Sequence, residues 1–145
     1  MILIIGIGSP LRGDDGVGEA AALALAELLS HTDVDVLTVH QLTPDLTEPI
    51  SRARLVIFLD ADIRQAAGEI VIHPLHPTDD RAGAFTHHIS PAALLLGAHQ
   101  LYGSAPPAYL ISIGAQTFAF SEQLSPPVQA AFADYLAAAL RLIEA

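Results

Sequence analysis

The sequence predicts an α/β domain whose strands run mainly parallel, and two observations carry that expectation. The opening run Ile2-Leu3-Ile4-Ile5 has no polar interruption and ends abruptly in Gly6 and Gly8. Such a run is the mark of a strand buried on both faces. Beyond it, strand, loop, helix and strand recur along the chain, and right-handed crossovers between them bring successive strands parallel.

The opening strand is expected to lie inside its sheet. It passes into a glycine-punctuated loop that carries Asp14 and Asp15 and leads into a helix from Gly16 to Leu29, where Val17, Ala21, Leu25, Leu28 and Leu29 recur at helical spacing. Asp33 to Val39 forms the second strand, with His40 at its carboxyl end. Thr43 and Pro44 suit the N-cap and first position of a helix, which Pro49 is expected to cut short. Arg54 to Leu59 is the third buried strand, followed by Asp60-Ala61-Asp62. Gly68 to His73 reads as an antiparallel edge strand, because only a short turn separates it from the third. His73 to Gly83, rich in Pro and polar residues, is the one long loop, expected to be mobile. Ser90 and Pro91 open a helix that runs to about Leu101, and Ala108 to Ile113 is the last strand. Ser125-Pro126-Pro127 starts a terminal helix whose stripe of Val128, Ala131, Phe132, Tyr135, Leu136 and Ile143 packs on the sheet.

Composition narrows the function. A chain of 145 residues predicts one domain, residues 1–145, that buries about 70% of its unfolded surface. Six arginines against sixteen acidic residues give a net charge of −10, which argues against nucleic acid or an anionic membrane as partner. Without cysteine there is no thiol chemistry, and any metal must be held by His, Asp, Glu or backbone groups. The first apolar run is too short for a secretory leader and no segment approaches a membrane span, so the expected location is the cytoplasm.

The loop after the first strand also excludes familiar nucleotide sites. Gly6-x-Gly8 begins a dinucleotide fingerprint, but Leu11 stands where the third glycine belongs, and a chain without lysine has no P-loop. Two adjacent carboxylates would repel a pyrophosphate and suit a cation. One of them is enough to cap the helix, so the pair exceeds what a cap requires. In a parallel sheet Asp15 and Asp60 fall on the same edge, and His87 and His88 precede the next helix. The sets Asp14/Asp15, Asp60/Asp62 and His87/His88 could hold a divalent ion with open positions, able to polarise a carbonyl and activate water. His40 is a lesser candidate at its strand end, and His73, His76 and His99 read as surface residues. Neither His-Glu-x-x-His nor a Gly-x-Ser-x-Gly elbow occurs.

Together these stretches resemble the hydrogenase maturation endopeptidases. The resemblance rests on Gly6-Ile7-Gly8-Ser9-Pro10-Leu11-Arg12-Gly13-Asp14-Asp15-Gly16-Val17-Gly18, Leu42-Thr43-Pro44-Asp45-Leu46, Leu59-Asp60-Ala61 and Thr86-His87-His88-Ile89-Ser90-Pro91. It implies a twisted, mainly parallel five-stranded sheet with helices on both faces. It also implies an endopeptidase that removes the C-terminal extension of a nickel-iron hydrogenase large-subunit precursor after nickel insertion. By position, Asp15, Asp60 and His88, with His87 as alternate, would be both the catalytic set and the contacts to nickel. The nickel would be supplied by the precursor, with no organic cofactor. Ser9 replaces an Asn common in the family, Asp15 a Glu found in some members, and Ala92 a His that some place after the proline. A metal-binding, metallochaperone-like module using the same ligands is the alternative.

Overall fold

The computed structural model describes residues 1–78 and 89–145. Five strands form one sheet: β1 (Ile2–Ile7), β2 (Val34–Val39), β3 (Leu55–Asp62), β4 (Ile70–Leu75) and β5 (Ala108–Gly114), in the order β2-β1-β3-β5-β4. Every neighbouring pair is parallel except β4 with β5. Four helices, α1 (Val17–Leu28), α2 (Thr47–Arg52), α3 (Pro91–Tyr102) and α4 (Pro126–Glu144), cover the two faces.

All six residues of β1 are buried, because they alternate between two cores. Ile2 and Ile4 pack with Ala21 and Leu25 of α1 and Tyr135 of α4, whereas Leu3, Ile5 and Ile7 pack with Ile50 of α2 and Leu94 and Leu95 of α3. β3 does the same, sending Ile57 and Leu59 to the first core and Val56 and Phe58 to the second. The handedness of the connections explains the arrangement: the chain leaves β1 for β2 in one direction and returns past it to β3 in the other. With right-handed crossovers, that reversal puts α1 and α2 on opposite faces. It also opens the sheet between the carboxyl ends of β1 and β3, where ligands bind in folds of this kind.

Three local expectations are corrected. Pro49 does not cut its helix short: a 3-10 turn at Pro44–Leu46 runs into α2, and Pro49 falls in the first turn, where its missing N–H would have had no partner. β3 continues to Asp62 because β5 pairs with it as far as Gly114, so Asp60 and Asp62 belong to the strand. β4 is the antiparallel edge, but it pairs with β5 instead of β3, and it runs to Leu75, which takes His73, Pro74 and Leu75 out of the expected loop; residues 79–83 of that loop lie outside the described residues. α3 begins as expected, with Ser90 Oγ accepting the Ala93 amide at 3.0 Å and Pro91 at the first position. Among the described residues, no helix is long and apolar enough to cross a membrane.

Candidate functional site

Gly8 shapes the loop that follows β1. Its φ of +128° suits glycine alone, and a Cβ there would lie 2.0 Å from the Asp15 carbonyl oxygen. The chain can therefore fold back so that the Ser9 amide donates to Asp15 Oδ2 at 2.9 Å. Asp15 sits in a 3-10 turn, Gly13–Gly16, that passes directly into α1. Gly18, one turn on, lets the helix press against the sheet, since a Cβ there would meet Leu59 O at 2.5 Å.

The two neighbouring aspartates separate completely. Asp14 is fully buried and points away from the sheet opening: its carboxylate accepts the amides of Gln116 at 2.8 Å and Ser125 at 2.7 Å, and the Ser125 hydroxyl at 2.7 Å. Burial alone would raise its pKa, but the bonds from Ser125, Gln116 and Thr117 outweigh it and hold the group below its ordinary value. Asp15 is only half-buried and lines a cleft of about 460 Å³ at the carboxyl ends of β1 and β3.

Asp60 lines the same cleft. Alternation along β3 carries its side chain to the α2 and α3 face, where Ile89 and Pro91 form a wall. Burial, joined by the nearby negative charges of Asp15 and Asp62, pushes its pKa from 3.8 to about 7, against a lowering hydrogen bond from the Ala61 amide at 2.8 Å. From below, the buried Tyr135 hydroxyl donates to Ile111 O at 3.0 Å and lies 3.4 Å from Asp60 O, which ties the strand end to α4. Arg12, His40 and Gln41 complete the cleft's polar rim and are exposed. A smaller cavity of about 210 Å³ between α2 and α3 carries no titratable side chain among its described lining.

The remaining candidates part from this cleft. Asp62 binds Arg64, whose Nε lies 3.1 Å from Oδ1, and that pairing lowers the Asp62 pKa; it lines a separate cavity with Ser112 and Phe118. His73 is exposed, as expected, yet its Nε2 lies 3.1 Å from the buried Ser112 Oγ. Ser112 Oγ also bonds to Gln65 Oε1, so the hydroxyl bridges His73 and Gln65, away from the cleft. His76 and His99 are exposed. His87 and His88 lie outside the described residues, although Ile89, the next residue, lines the cleft. Among the described residues, no three His, Asp or Glu side chains gather into a metal site.

Sequence reasoning missed the fixed part of this arrangement. Nothing local says which of two adjacent aspartates turns inward, because the partners of Asp14 are more than a hundred positions away. Arg12 in the cleft was likewise unforeseen. What the geometry offers chemically is a pair of carboxylates, one of them poised between its charged and neutral forms, beside space for a ligand. Such a pair can take a divalent cation by releasing a proton, or pass a proton to and from a reacting group.

No family model matches the chain, and no curated relative matches it by sequence. Solved structures do match over nearly its whole length. The hydrogenase maturating endopeptidase HybD from E. coli is 23% identical, with 99% of this chain and 91% of that one covered and a TM-score of 0.75. The NiFe hydrogenase maturation protease HycI from Thermococcus kodakarensis KOD1 is 25% identical, covering 99% and 92%, with a TM-score of 0.73. The hydrogenase 2 maturation peptidase from Thaumarchaeota archaeon SCGC_AB-539-E09 is 23% identical, covering 98% and 97%, at 0.67. These three neighbours are hydrogenase maturation proteases, and the chain shares their fold.

Proposed function

We propose that the chain is a peptide hydrolase that removes the C-terminal extension of a nickel-iron hydrogenase large-subunit precursor, recognising the nickel already carried by that substrate. The observation that carries this reading is the meeting of Asp15 and Asp60 in one cleft at the point where the strand order reverses. The structural neighbours support the same reaction class.

The substrate's nickel would lie between Asp15 and Asp60, with His88, or His87 as alternate, as the third contact. Two carboxylates brought together by the fold repel each other, and a cation between them relieves that repulsion. A precursor without metal offers no such relief and binds poorly. Cleavage then reports that metal has been inserted. Hydrolysis needs one proton removed from the attacking water and one delivered to the leaving amide nitrogen; with the cation bound both carboxylates are ionised, and one of them can take the water's proton and pass it to the nitrogen. In this reading Asp15 and Asp60 act as an aspartyl pair without a nucleophilic side chain.

The test is mass spectrometry of nickel-loaded and nickel-free precursor after incubation with the protein. A mass loss equal to one C-terminal peptide, confined to the loaded form and absent with Asp60→Asn, is the expected result. Tight precursor binding without any mass loss would instead favour a metal-binding module.

A further inference from the structure

We propose that Leu11 and Phe120 form a rigid apolar knob that seats in a nonpolar hollow on the folded body of the protein substrate, beside the cleft that receives its cut segment. This rests on the proteolytic reading above.

Phe120 is 87% exposed and Leu11 46% exposed. They belong to two loops distant in sequence, one after β1 and one between β5 and α4, which are bonded together. The Gly13 amide donates to Ser121 O at 2.8 Å, the Ser121 amide to Leu11 O at 3.0 Å, and the Asp14 amide to Thr117 O at 3.1 Å. Arg12 and Ser121 form a parallel bridge, so the backbones of Leu11 and Phe120, each one residue earlier, run side by side. The loops are pressed together at Gly13, whose φ is +57° and where a Cβ would meet Thr117 O at 3.0 Å. The carboxylate of Asp14 clamps the same pair from beneath through Gln116, Thr117 and Ser125.

A single exposed leucine calls for no explanation, but a phenylalanine held almost wholly in water on a pinned loop does. The loop bonds fix its backbone in place. Aromatic side chains presented by a rigid backbone are the usual anchors of protein interfaces, because little entropy is lost when they dock. The knob adjoins the cleft, since Arg12, next to Leu11, lines it with Asp15 and Asp60. Phe118, two residues before Phe120, and Ile63, 49% exposed, place further apolar surface on the other side of Asp60, beside the Asp62–Arg64 ion pair. A partner that puts a peptide segment into the cleft must lay its body over this rim. The occupant assigned here is the folded precursor.

Steady-state processing of nickel-loaded precursor by wild-type, Phe120→Ser, Phe120→Leu and Leu11→Ser proteins tests this. Phe120→Ser is expected to raise KM about ten-fold or more with kcat within two-fold, Phe120→Leu to recover most of the loss, and thermal midpoints to stay unchanged. An unchanged KM for Phe120→Ser, or a fall in kcat alone, overturns the proposal. So does a concentration-dependent dimer that Phe120→Ser abolishes while precursor affinity is kept. If wild-type protein never shortens the precursor, the proteolytic reading fails by itself. Calorimetric affinity for the uncut precursor then still decides on the knob, weakened by Phe120→Ser if it docks there and unaltered if it does not.

Discussion

Asp14 and Ser125 lie 111 positions apart and are joined twice: Ser125 N donates to Asp14 Oδ1 and Ser125 Oγ to Asp14 Oδ2, each at 2.7 Å. Ser125 is the N-cap of α4, so a carboxylate in the first loop completes the start of the last helix. The loop that presents Asp15 is therefore anchored through its neighbour to the far end of the chain. The side chain beside the cleft can stay half-exposed because the one next to it is wholly committed.

Replacing Asp14 with Ala should leave three amides and a hydroxyl without their acceptor. The expected cost is about 3 kcal/mol, or a fall in melting temperature of roughly 10 °C for a domain of this size, measured by denaturant titration and thermal unfolding. Asp15→Asn should change stability little and abolish precursor processing. Equal stability of the Asp14→Ala and wild-type proteins would show that the clamp is dispensable.

Asp14 and Asp60 act on stability with opposite sign. Asp14, held below 3.8 in the folded protein, contributes stability that is present above that value and lost as pH falls through its folded pKa. Asp60, raised from 3.8 to about 7, keeps its proton longer in the folded state than in the unfolded chain. Stability should therefore decline as pH rises from about 4 to 7, the window between those two values. At about 1.4 kcal/mol per pH unit, the Asp60 penalty has a ceiling of about 4 kcal/mol. Asp60→Asn should flatten this slope and melt higher than wild type at pH 8 while losing activity. A wild-type slope retained in Asp60→Asn would assign it to another group.

Gly8→Ala tests whether the position of Asp15 matters as much as its charge. The new methyl would overlap the Asp15 carbonyl and force the backbone out of its left-handed region, displacing the carboxylate without removing it. A shift of the order of 1 Å at a reacting centre can cost about 100-fold in rate. The expected outcome is a loss of that order in kcat/KM with the sheet retained by circular dichroism.

What the sequence disclosed and what it hid divide along physical lines. The uninterrupted run of β1 and the α1 stripe from Val17 through Ala21 to Leu25 were legible because burial on two faces and on one face leave different periodicities, whereas Leu28, read into the same stripe, is 63% exposed at the helix end. The meeting of Asp15 and Asp60 was legible because parallel strands must deliver their carboxyl ends to one edge. The fate of Asp14 was not, since its partners are backbone amides that carry no sequence signature. Pro49 misled because a proline forbids a helix interior but not a first turn, and local pattern alone did not place the turn. The run of β3 to Asp62 was hidden for a related reason: strand length is set by the partner, here β5, and not by the strand's own residues.

The histidines are the last expectation to be tested. Ile89 and Pro91 line the cleft with Asp60, and Ser90 caps α3 between them. His88 is one covalent step from that wall, while His87 is one step further. If the third contact to nickel comes from this segment, His88→Ala should abolish processing of the loaded precursor, and His87→Ala should reduce it by less than about ten-fold, the loss of roughly 1.4 kcal/mol. Nickel titration into the isolated protein separates loss of a metal contact from loss of catalysis: affinity should fall for His88→Ala and persist for His87→Ala. The reverse pattern would exchange the two roles, and full activity in both variants would remove this segment from the site and leave His40, already on the cleft rim, as the imidazole to test.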